Sequence, residues 1–151
     1  MGLIALNSPK GKCLRQASMI VDDIESQVLP YVDEAILIAS KADGIGLAAA
    51  QMGVMYRWYV DKMGQVYINP EIVEASDPVR VFEGCLSLPG HWYSTERNAI
   101  VVLKFQNLEG VEETLRFSGI SAWVAQHELD HLDGTMVSDH GTRVYKGDER
   151  I

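Results

Sequence analysis

The hydrophobic residues follow a helical spacing in two separate segments of the chain. The first stripe, with positions three or four apart, is formed by Val28, Val32, Ala35, Ile36 and Ala39. This spacing predicts a helix that packs on the core from about Ser26 to Ala42. Pro30 fits only in the first turn of such a helix, and Asp22 and Asp23 precede it as candidate N-caps.

A second stripe lies late in the sequence and is formed by Ile120, Trp123, Val124 and His127. Gly119 precedes this stripe as a break, and Gly134 follows it as a C-terminal stop. We therefore predict a helix over residues 120–132.

Between the two helices, short apolar runs alternate with turn residues. Residues 57–60 and 65–69 flank a predicted hairpin turn at 61–64, and residues 99–105 and 113–117 flank another at 107–110. Residues 71–75 and 79–82 are interpreted as a further strand pair, bent at Asp77 and Pro78. The first twenty or so residues are interpreted as an irregular arm. This order predicts one α+β domain over residues 1–151, with antiparallel strands packed around the late helix.

Composition and charge narrow the class of protein. Of the 151 residues, 47% are hydrophobic and 23% are charged, which is typical of a globular domain. The net charge of −8 argues against nucleic acid as the main partner, and no apolar run is long enough to predict a membrane span. The beginning of the sequence lacks the organisation of a signal peptide, so we expect a cytoplasmic protein with Cys13 and Cys85 as free thiols.

The late helix carries the candidate chemistry, in the segment QHELDHLDG at residues 126–134. His127 and His131 are four residues apart, so both imidazoles can reach one metal ion from the same helix face. Glu128 lies about 100° round the helix from His127, where it can handle a proton.

A catalytic metal site usually has a third protein ligand. The longer zinc-protease pattern would need a histidine at position 137, where the sequence has Val137. The remaining candidates include Cys85, His91, His140 and several carboxylates. Cys85 would complete a Cys-His-His set, although a small buried apolar role is the more frequent one for a lone cysteine.

The segment at residues 44–51, GIGLAAAQ, is small, apolar and nearly uncharged. Its composition favours a tightly packed turn. The alternative is that its glycines leave an exposed strand edge against which a peptide can bind.

Three segments together resemble the signature motifs of the peptide deformylase family, in order and in spacing. They are GIGLAAAQ (44–51), EGCLS (83–87) and QHELDHLDG (126–134). Weaker similarity covers most of the chain, including residues 13–15 and 68–70. The resemblance favours the functional interpretation of residues 44–51 over the one that composition favoured.

The resemblance implies a hydrolase that removes the formyl group from N-terminal formyl-methionine of newly made polypeptides and releases formate. Its implied metal ligands are Cys85, His127 and His131. The metal implied is ferrous iron, with zinc, nickel or cobalt as alternatives. Glu128 is implied as the proton carrier. The side-chain amide of Gln51 and the backbone N–H of Leu86 are implied to stabilise the negative charge on the formyl oxygen.

The resemblance also implies how the substrate binds. The peptide is expected to lie as an extended strand against Gly44, Ile45 and Gly46. The pocket for the methionine side chain is expected to be lined by Ile45, Val81, Trp123, Val124 and His127. Glu83 is expected beside the substrate and, with Gln126, to orient the ligand residues. Asp130 is expected to face away from the metal.

The sequence departs from the common bacterial pattern of the family at three places. Only residues 135–151 follow the motif helix, which resembles the compact members from bacteriophages. Bacterial members carry a long helix there that is associated with ribosome docking, so ribosome association stays an open alternative. Trp123 is bulkier than the aliphatic residue usual in the family. His91 and Trp92 stand where many bacterial members have polar or basic residues that touch the peptide.

Two other functions would each account for part of this pattern. An HExxH metallopeptidase lacks an identifiable third ligand and leaves the EGCLS segment without a role. A catalytically silent binding module would be expected to have lost a ligand or the proton carrier. Instead, all of these residues are present.

Overall fold

A computed structural model describes residues 1–144 of the protein, and within them an antiparallel sheet carries four helices. The helices are α1 (Ile24–Gln27), α2 (Val32–Lys41), α3 (Ile120–Leu132) and α4 (Val137–His140). The strands are β1 (Gly46–Ala48), β2 (Trp58–Asp61), β3 (Val66–Cys85), β4 (Leu88–Gln106), β5 (Glu112–Ser118) and β6 (Thr142–Val144). The predicted α+β class is confirmed.

The strands pair in the order β1-β2-β3-β4-β5, and β6 adds to β4. The long strands β3 and β4 form a hairpin whose tip closes with Cys85 opposite Leu88. Strand β2 pairs with β3 only at residues 66–68, so most of the outer edge of β3 is not covered by β2. This edge and the tip of the hairpin are therefore available to shape a site.

Two apolar clusters hold the two longer helices on the sheet. The first lies under α2, where Val32, Ala35 and Ala39 pack with Leu47 of β1 and Trp58 of β2. The second lies under α3 and is formed by residues of that helix and of strands β1 to β4: Ala48, Tyr59, Tyr67, Val101, Leu103, Phe105, Ala122, Val124, Ala125, Leu129 and Leu132. Both clusters contain residues of β1 and β2. Helix α3 lies directly against β1, because Ala48 of that strand packs in the cluster under the helix. No described helix has the length and apolar character of a membrane span.

Helix α3 spans the predicted residues 120–132, and its ends have local causes. Gly119 occupies the N-cap with φ of +64° and Gly134 follows the helix with φ of +77°, and both values favour glycine. Ile120 is exposed, however, and the buried face is formed by Ala122, Ala125, Leu129 and Leu132.

The predicted helix from Ser26 to Ala42 is wrong at its N-terminal end. The chain forms the single turn α1, then a 3₁₀ turn at Leu29–Tyr31, and the long helix begins only at Val32. The physical reason is Pro30, which has no N–H to donate and whose ring excludes the carbonyl of the preceding helical turn. The apolar stripe from Val32 onward is confirmed.

The predicted strand pair at residues 71–75 and 79–82 is also wrong. Both runs belong to β3 and pair with β4, with Ala75 opposite Val101 and Val79 opposite Arg97. Asp77 takes φ of +59° before Pro78, which bends the strand without reversing it. A proline is tolerated there because β3 pairs on only one side at that point. The other two predicted hairpins are confirmed.

The first residues form the predicted irregular arm, with one 3₁₀ turn at Gly11–Arg15. The arm closes over the end of α3, where the N–H of Ser18 donates to the carbonyl of Leu132 at 2.8 Å. The last part of the segment that follows the motif helix, residues 145–151, lies outside the described part of the chain.

We expect Gly134→Ala to lower the free energy of unfolding by roughly 3 kcal/mol. A Cβ at this position would lie 2.8 Å from the backbone of Gln16 and 2.9 Å from that of Arg15, so the arm would have to move. Gly90→Ala is the matched control, because Gly90 has φ of +78° but nothing within 4 Å of a Cβ. It should cost only the backbone strain, about 1 kcal/mol. Equal losses in denaturant titrations would contradict the packing of the arm on Gly134.

Candidate metal centre and active site

The structure brings three of the predicted ligand residues together. Helix α3 presents His127 and His131 one turn apart, with ring centroids 5.0 Å apart. The end of β3 brings the Cys85 sulfur to 3.3 Å from Nε2 of His131. The ligand atoms of the three residues all lie within 4.8 Å of one another, and in residues 1–144 they form the one such group of three or more. The cluster defines a candidate metal centre.

The chemistry of the donors fits a divalent transition metal. Burial lowers the pKa of His131 well below its usual value, which keeps the ring neutral with a lone pair available to a metal. Burial also opposes a charge on His127, but hydrogen bonds with Cys85 and Glu83 and the charge of Glu128 outweigh it and raise the pKa of His127. The surroundings of His127 therefore favour positive charge, which a bound cation supplies.

Glu128 lies beside the cluster, and one of its two carboxylate oxygens has no hydrogen-bond partner among the described residues. Its Oε1 is 4.0 Å from Nε2 of His127, while its buried Oε2 has no hydrogen-bond partner among the described residues. Burial raises the pKa of Glu128 to about 7, against the opposing effect of the charge on His127. A carboxyl with this pKa can both accept and release a proton near neutral pH.

Gln51 is buried on the other side of the sulfur. Its Oε1 accepts from the N–H of Ala48 at 3.0 Å, and its Nε2 donates to Oγ of Ser87 at 3.2 Å. Nε2 is also 3.8 Å from the Cys85 sulfur, at the limit for a hydrogen bond to sulfur. The backbone N–H of Leu86 lies in the turn directly after Cys85, so both predicted donors flank the candidate ligand.

The arm supports this side of the site through backbone hydrogen bonds. The N–H of Ile4 donates to the carbonyl of Gln51 at 2.7 Å, and the N–H of Leu6 donates to the carbonyl of Ser87 at 2.9 Å. Both segments that flank the sulfur are thus tied to one piece of chain.

Glu83 orients His127 and is itself held by Arg97. Its Oε1 lies 2.7 Å from Nδ1 of His127 and 2.6 Å from Nη2 of Arg97, and its Oε2 accepts from Thr95 and from Nε of Arg97. Burial works against the charge of Glu83, but the bonds to His127 and Arg97 outweigh it and hold the pKa of Glu83 well below its usual value. This contact leaves Nε2 of His127 directed at the cluster.

Of two predictions for polar residues on α3, the one for Asp130 is confirmed and the one for Gln126 is wrong. Asp130 faces away from the cluster, as expected, and pairs with Arg97 at 2.7 Å and lies 3.1 Å from His140. Gln126 does not orient the ligand residues, and that expectation is wrong. Its amide bonds to both backbone groups of Asn98 at 2.8 Å, because its side chain points at β4.

The cluster opens into a cleft of about 690 Å³ between β1, the β3–β4 hairpin and α3. The predicted substrate-binding residues all line it: Gly44, Ile45, Gly46, Glu83, Trp123 and Val124. Gly46 lets β1 approach α3 closely, since a Cβ there would lie 2.8 Å from Val124 and 3.3 Å from the side chain of Glu128. The segment therefore packs closely against α3 and also lines the cleft.

The remaining histidines are not part of the cluster. His91 lines the outer part of the cleft, and His140 lies at Asp130. The sequence interpretation missed Ser87, Thr95 and Arg97. The available sequence signal was an arginine next to the apolar run 99–103. The structure shows that Arg97 is buried, but its ion-pair partner depends on the strand register.

The sheet, the HExxH helix and the Cys-His-His cluster beside a cleft are typical of a metal-dependent hydrolase. The chain belongs to the peptide deformylase family, because the family model described as polypeptide deformylase matches residues 4–146. It is an enzyme that removes the formyl group from the N-terminal formyl-methionine of newly made polypeptides, and its family is metal-dependent.

Individual relatives agree with this assignment. A peptide deformylase from Agrobacterium fabrum is 36% identical over 94% of this chain and 87% of its own length. The crystal structure of the Thermotoga maritima peptide deformylase superimposes with a TM-score of 0.84 at 32% identity, over 91% of this chain and 95% of that one. A peptide deformylase of a Vibrio parahaemolyticus bacteriophage, in complex with actinonin, gives a TM-score of 0.81 at 31% identity. The match covers 90% of this chain and 99% of that one.

We expect the ionised form of Glu83 to stabilise the fold in a pH-dependent way. Because its pKa is lower in the folded than in the unfolded chain, the contribution is present above about pH 4.3 and is lost as the pH falls towards the folded-state pKa. At about pH 7, Glu83→Gln should lower the free energy of unfolding by roughly 3 kcal/mol, since it removes one of the two carboxylates that pair with the buried Arg97.

The difference between wild type and Glu83→Gln should shrink as the pH is lowered to about 3. Glu96→Gln, at an exposed position on β4, is the control and should change stability by less than about 0.5 kcal/mol. A loss that does not depend on pH in denaturant titrations would argue against an ionised Glu83.

Proposed function

We propose that Cys85, His127 and His131 hold the catalytic metal and that the formyl group is hydrolysed beside them. The observation that carries this proposal is the convergence of one sulfur and two imidazole nitrogens within 4.8 Å at the inner end of the cleft. A divalent cation bound there supplies a Lewis acid that acidifies water and polarises a carbonyl oxygen.

In this proposal Glu128 carries the proton. Its unpartnered Oε2 accepts a proton from water as the water oxygen attacks the formyl carbon. The bond between that carbon and the peptide nitrogen then breaks. Glu128 hands its proton to the departing amine, and formate leaves. A pKa of about 7 allows the same carboxyl to perform both transfers.

Gln51 and Leu86 are proposed to stabilise the negative charge that grows on the formyl oxygen. The amide of Gln51 is already oriented by Ala48 and Ser87, so little reorganisation is needed when the charge develops. Losing one such donor typically costs a factor of about 10²–10³ in turnover.

The substrate is proposed to bind as an extended peptide along Gly44, Ile45 and Gly46, in the cleft between β1 and the β3–β4 hairpin. Backbone hydrogen bonds to a strand edge do not depend on side-chain identity, which suits an enzyme that acts on many nascent chains. Val81, Trp123 and Val124 are proposed to receive the methionine side chain. Glu83 is proposed to act on the substrate through His127, since both of its oxygens are already bonded.

Ferrous iron is the metal proposed for the cell, with zinc, nickel or cobalt as alternatives. A thiolate and two imidazoles suit all four ions, so availability decides among them. The proposed setting is the cytoplasm of a bacterium or of a bacterial host cell, with one catalytic domain over residues 1–151. The proposed partners are nascent formyl-methionyl peptides, without direct contact to nucleic acid or membrane. Binding to the ribosome is an open alternative.

We expect Glu128→Gln to lower formate release from formyl-methionyl peptides by about 10²–10⁴-fold, because the proton carrier is lost. The metal content should stay that of the wild type, because the three proposed ligands remain. Glu96→Gln removes an exposed carboxylate that does not line the cleft and is the control for turnover. Unchanged rates in Glu128→Gln would refute the role of this residue, and peptide-bond cleavage without formate would refute the proposed reaction.

We expect protein purified without oxygen to contain one iron per chain, and Cys85→Ser to lose or exchange that metal. A serine hydroxyl is a poor substitute for a thiolate ligand of such ions. Cys13→Ser is the matched control, since Cys13 is the other free cysteine and its sulfur lies near the carbonyl of Ala50. Elemental analysis decides the outcome, and a Cys85→Ser protein with wild-type metal content would contradict the proposed ligand set.

A further inference from the structure

Strand β5 forms an open edge of the sheet. Within residues 1–144 it pairs with β4 on one side and with no strand on the other. Its residues 112, 114, 115, 116 and 118 are all exposed. An open edge presents backbone N–H and C=O groups to which another strand can bind. With seven residues, β5 has the length of a typical strand and can pair along all of it.

The hydrogen bonds between β5 and β4 determine which backbone groups of β5 point outward. The N–H of Gly119 donates to the carbonyl of Ala99 at 3.1 Å, and at the turn the N–H of Asn107 donates to the carbonyl of Val111 at 2.9 Å. Bonded and non-bonded pairs alternate along an antiparallel ladder. The residues of β5 that bond to β4 are therefore 113, 115 and 117. The residues that direct their N–H and C=O groups outward are 112, 114 and 116.

The side chains of the outward-directed residues carry opposite charges at equal distances from a centre. Glu112 and Arg116 lie two residues before and two residues after Thr114. All three side chains lie on the face of the sheet opposite the core, because the alternate residues 113, 115 and 117 are paired with buried residues of β4. Glu112 lies 3.4 Å from Nζ of Lys104, whereas Arg116 has no ion-pair partner within residues 1–144.

A second copy of β5 meets these charges with the opposite sign at each position. A two-fold axis through Thr114, perpendicular to the sheet, sets the two strands antiparallel and places Glu112 opposite Arg116 of the second copy. The axis produces this charged pair twice, and both residues direct their backbone groups across the junction. An axis through Glu112 or through Arg116 would instead set like charges opposite each other, which is unfavourable.

The face of β5 that lies towards the core fits the same register. Phe117 comes to lie opposite Val111 of the second copy, and an aromatic side chain opposite a β-branched one stabilises a strand pair. Val111 is 56% exposed and Phe117 is partly buried, so both have apolar surface to cover. Charge complementarity on one face and apolar contact on the other therefore select one register.

We propose that the protein associates into a two-fold homodimer through β5, so that one sheet continues across both copies. No residue of β5 lines the cleft, so both clefts stay open in the dimer. The pairing also covers an edge to which other strands could add. This inference does not depend on the proposed reaction.

The test is sedimentation velocity of the holoenzyme from about 1 µM to about 1 mM, a range suited to a small interface. Glu112→Arg and Arg116→Glu should each raise the dissociation constant about tenfold, because each sets like charges opposite each other at two positions. The double variant Glu112→Arg/Arg116→Glu restores both pairs and should return to within about threefold of the wild type. Glu112→Arg makes the net charge of −8 less negative, so general repulsion cannot explain a weaker dimer in this variant.

Glu96→Arg and Arg80→Glu are the matched controls. They change the net charge by the same amounts at exposed positions of β4 and β3 that do not pair with β5. Both should keep the dissociation constant of the wild type within about twofold. Formate release should be the same in all of these variants, which shows that each of them is folded.

Hydrogen exchange of the wild type gives a second measurement. The amides of Thr114 and Arg116 should exchange more slowly as the protein concentration rises, because they become bonded only in the dimer. The amide of Leu115 bonds to β4 in both states and should change little. A wild type that stays monomeric to about 1 mM would overturn the inference. A dimer that the charge swap does not restore, or one that leaves the amide of Thr114 unprotected, would also overturn it.

Discussion

The buried ion pair between Glu83 and Arg97 is the interaction on which the arrangement of the site depends. Arg97 is 5% exposed and bonds to both oxygens of Glu83, and it also reaches Asp130 on α3 at 2.7 Å. It therefore joins β3, β4 and α3 at one point. The same oxygen of Glu83 that bonds to Arg97 lies 2.7 Å from Nδ1 of His127, so the arginine fixes the orientation of this imidazole through Glu83. A buried pair of this kind stabilises only when its remaining hydrogen-bonding capacity is also used, and Thr95 supplies that bond.

The second constraint is the short distance between β1 and α3. Gly46 leaves no room for a side chain against Val124 and Glu128, and Gly44 leaves none against Leu86. The strand that is expected to bind the peptide is therefore in contact with the helix that carries the proposed proton carrier, and with the turn that carries a proposed donor to the formyl oxygen. In the proposed binding mode, the backbone of the peptide-binding segment is therefore in van der Waals contact with the side chains of Glu128 and Leu86.

Much of the site could be predicted from the sequence because its signals are local. His127, Glu128 and His131 lie on one helix whose ends are set by Gly119 and Gly134, and the three motifs resemble one family in order and spacing. The parts that could not be predicted depend on long-range pairing. Residues 71–82 look like two strands until β4 is seen to pair with both of them. The role of Gln126 depends on the position of Asn98 in β4, and the role of Arg97 depends on the same register. Pro30 is a local signal, but it ends the short turn before the long helix, which begins at Val32, six residues after the predicted start at Ser26.

Two glutamates lie next to the ring of His127, and their surroundings shift their pKa values in opposite directions. Glu83 lies at Nδ1 and Glu128 lies near Nε2, so both face the same ring. Glu83 also has Arg97 and Thr95, and these bonds keep its pKa far below its usual value, so it stays charged and holds its position. Glu128 has a buried oxygen without a hydrogen-bond partner among the described residues, and burial raises its pKa to about 7. Environments that push the pKa values of two neighbouring carboxyl groups apart are what acid–base catalysis requires. The distribution of hydrogen-bond donors around these two glutamates therefore determines that Glu128, and not Glu83, can exchange protons at neutral pH.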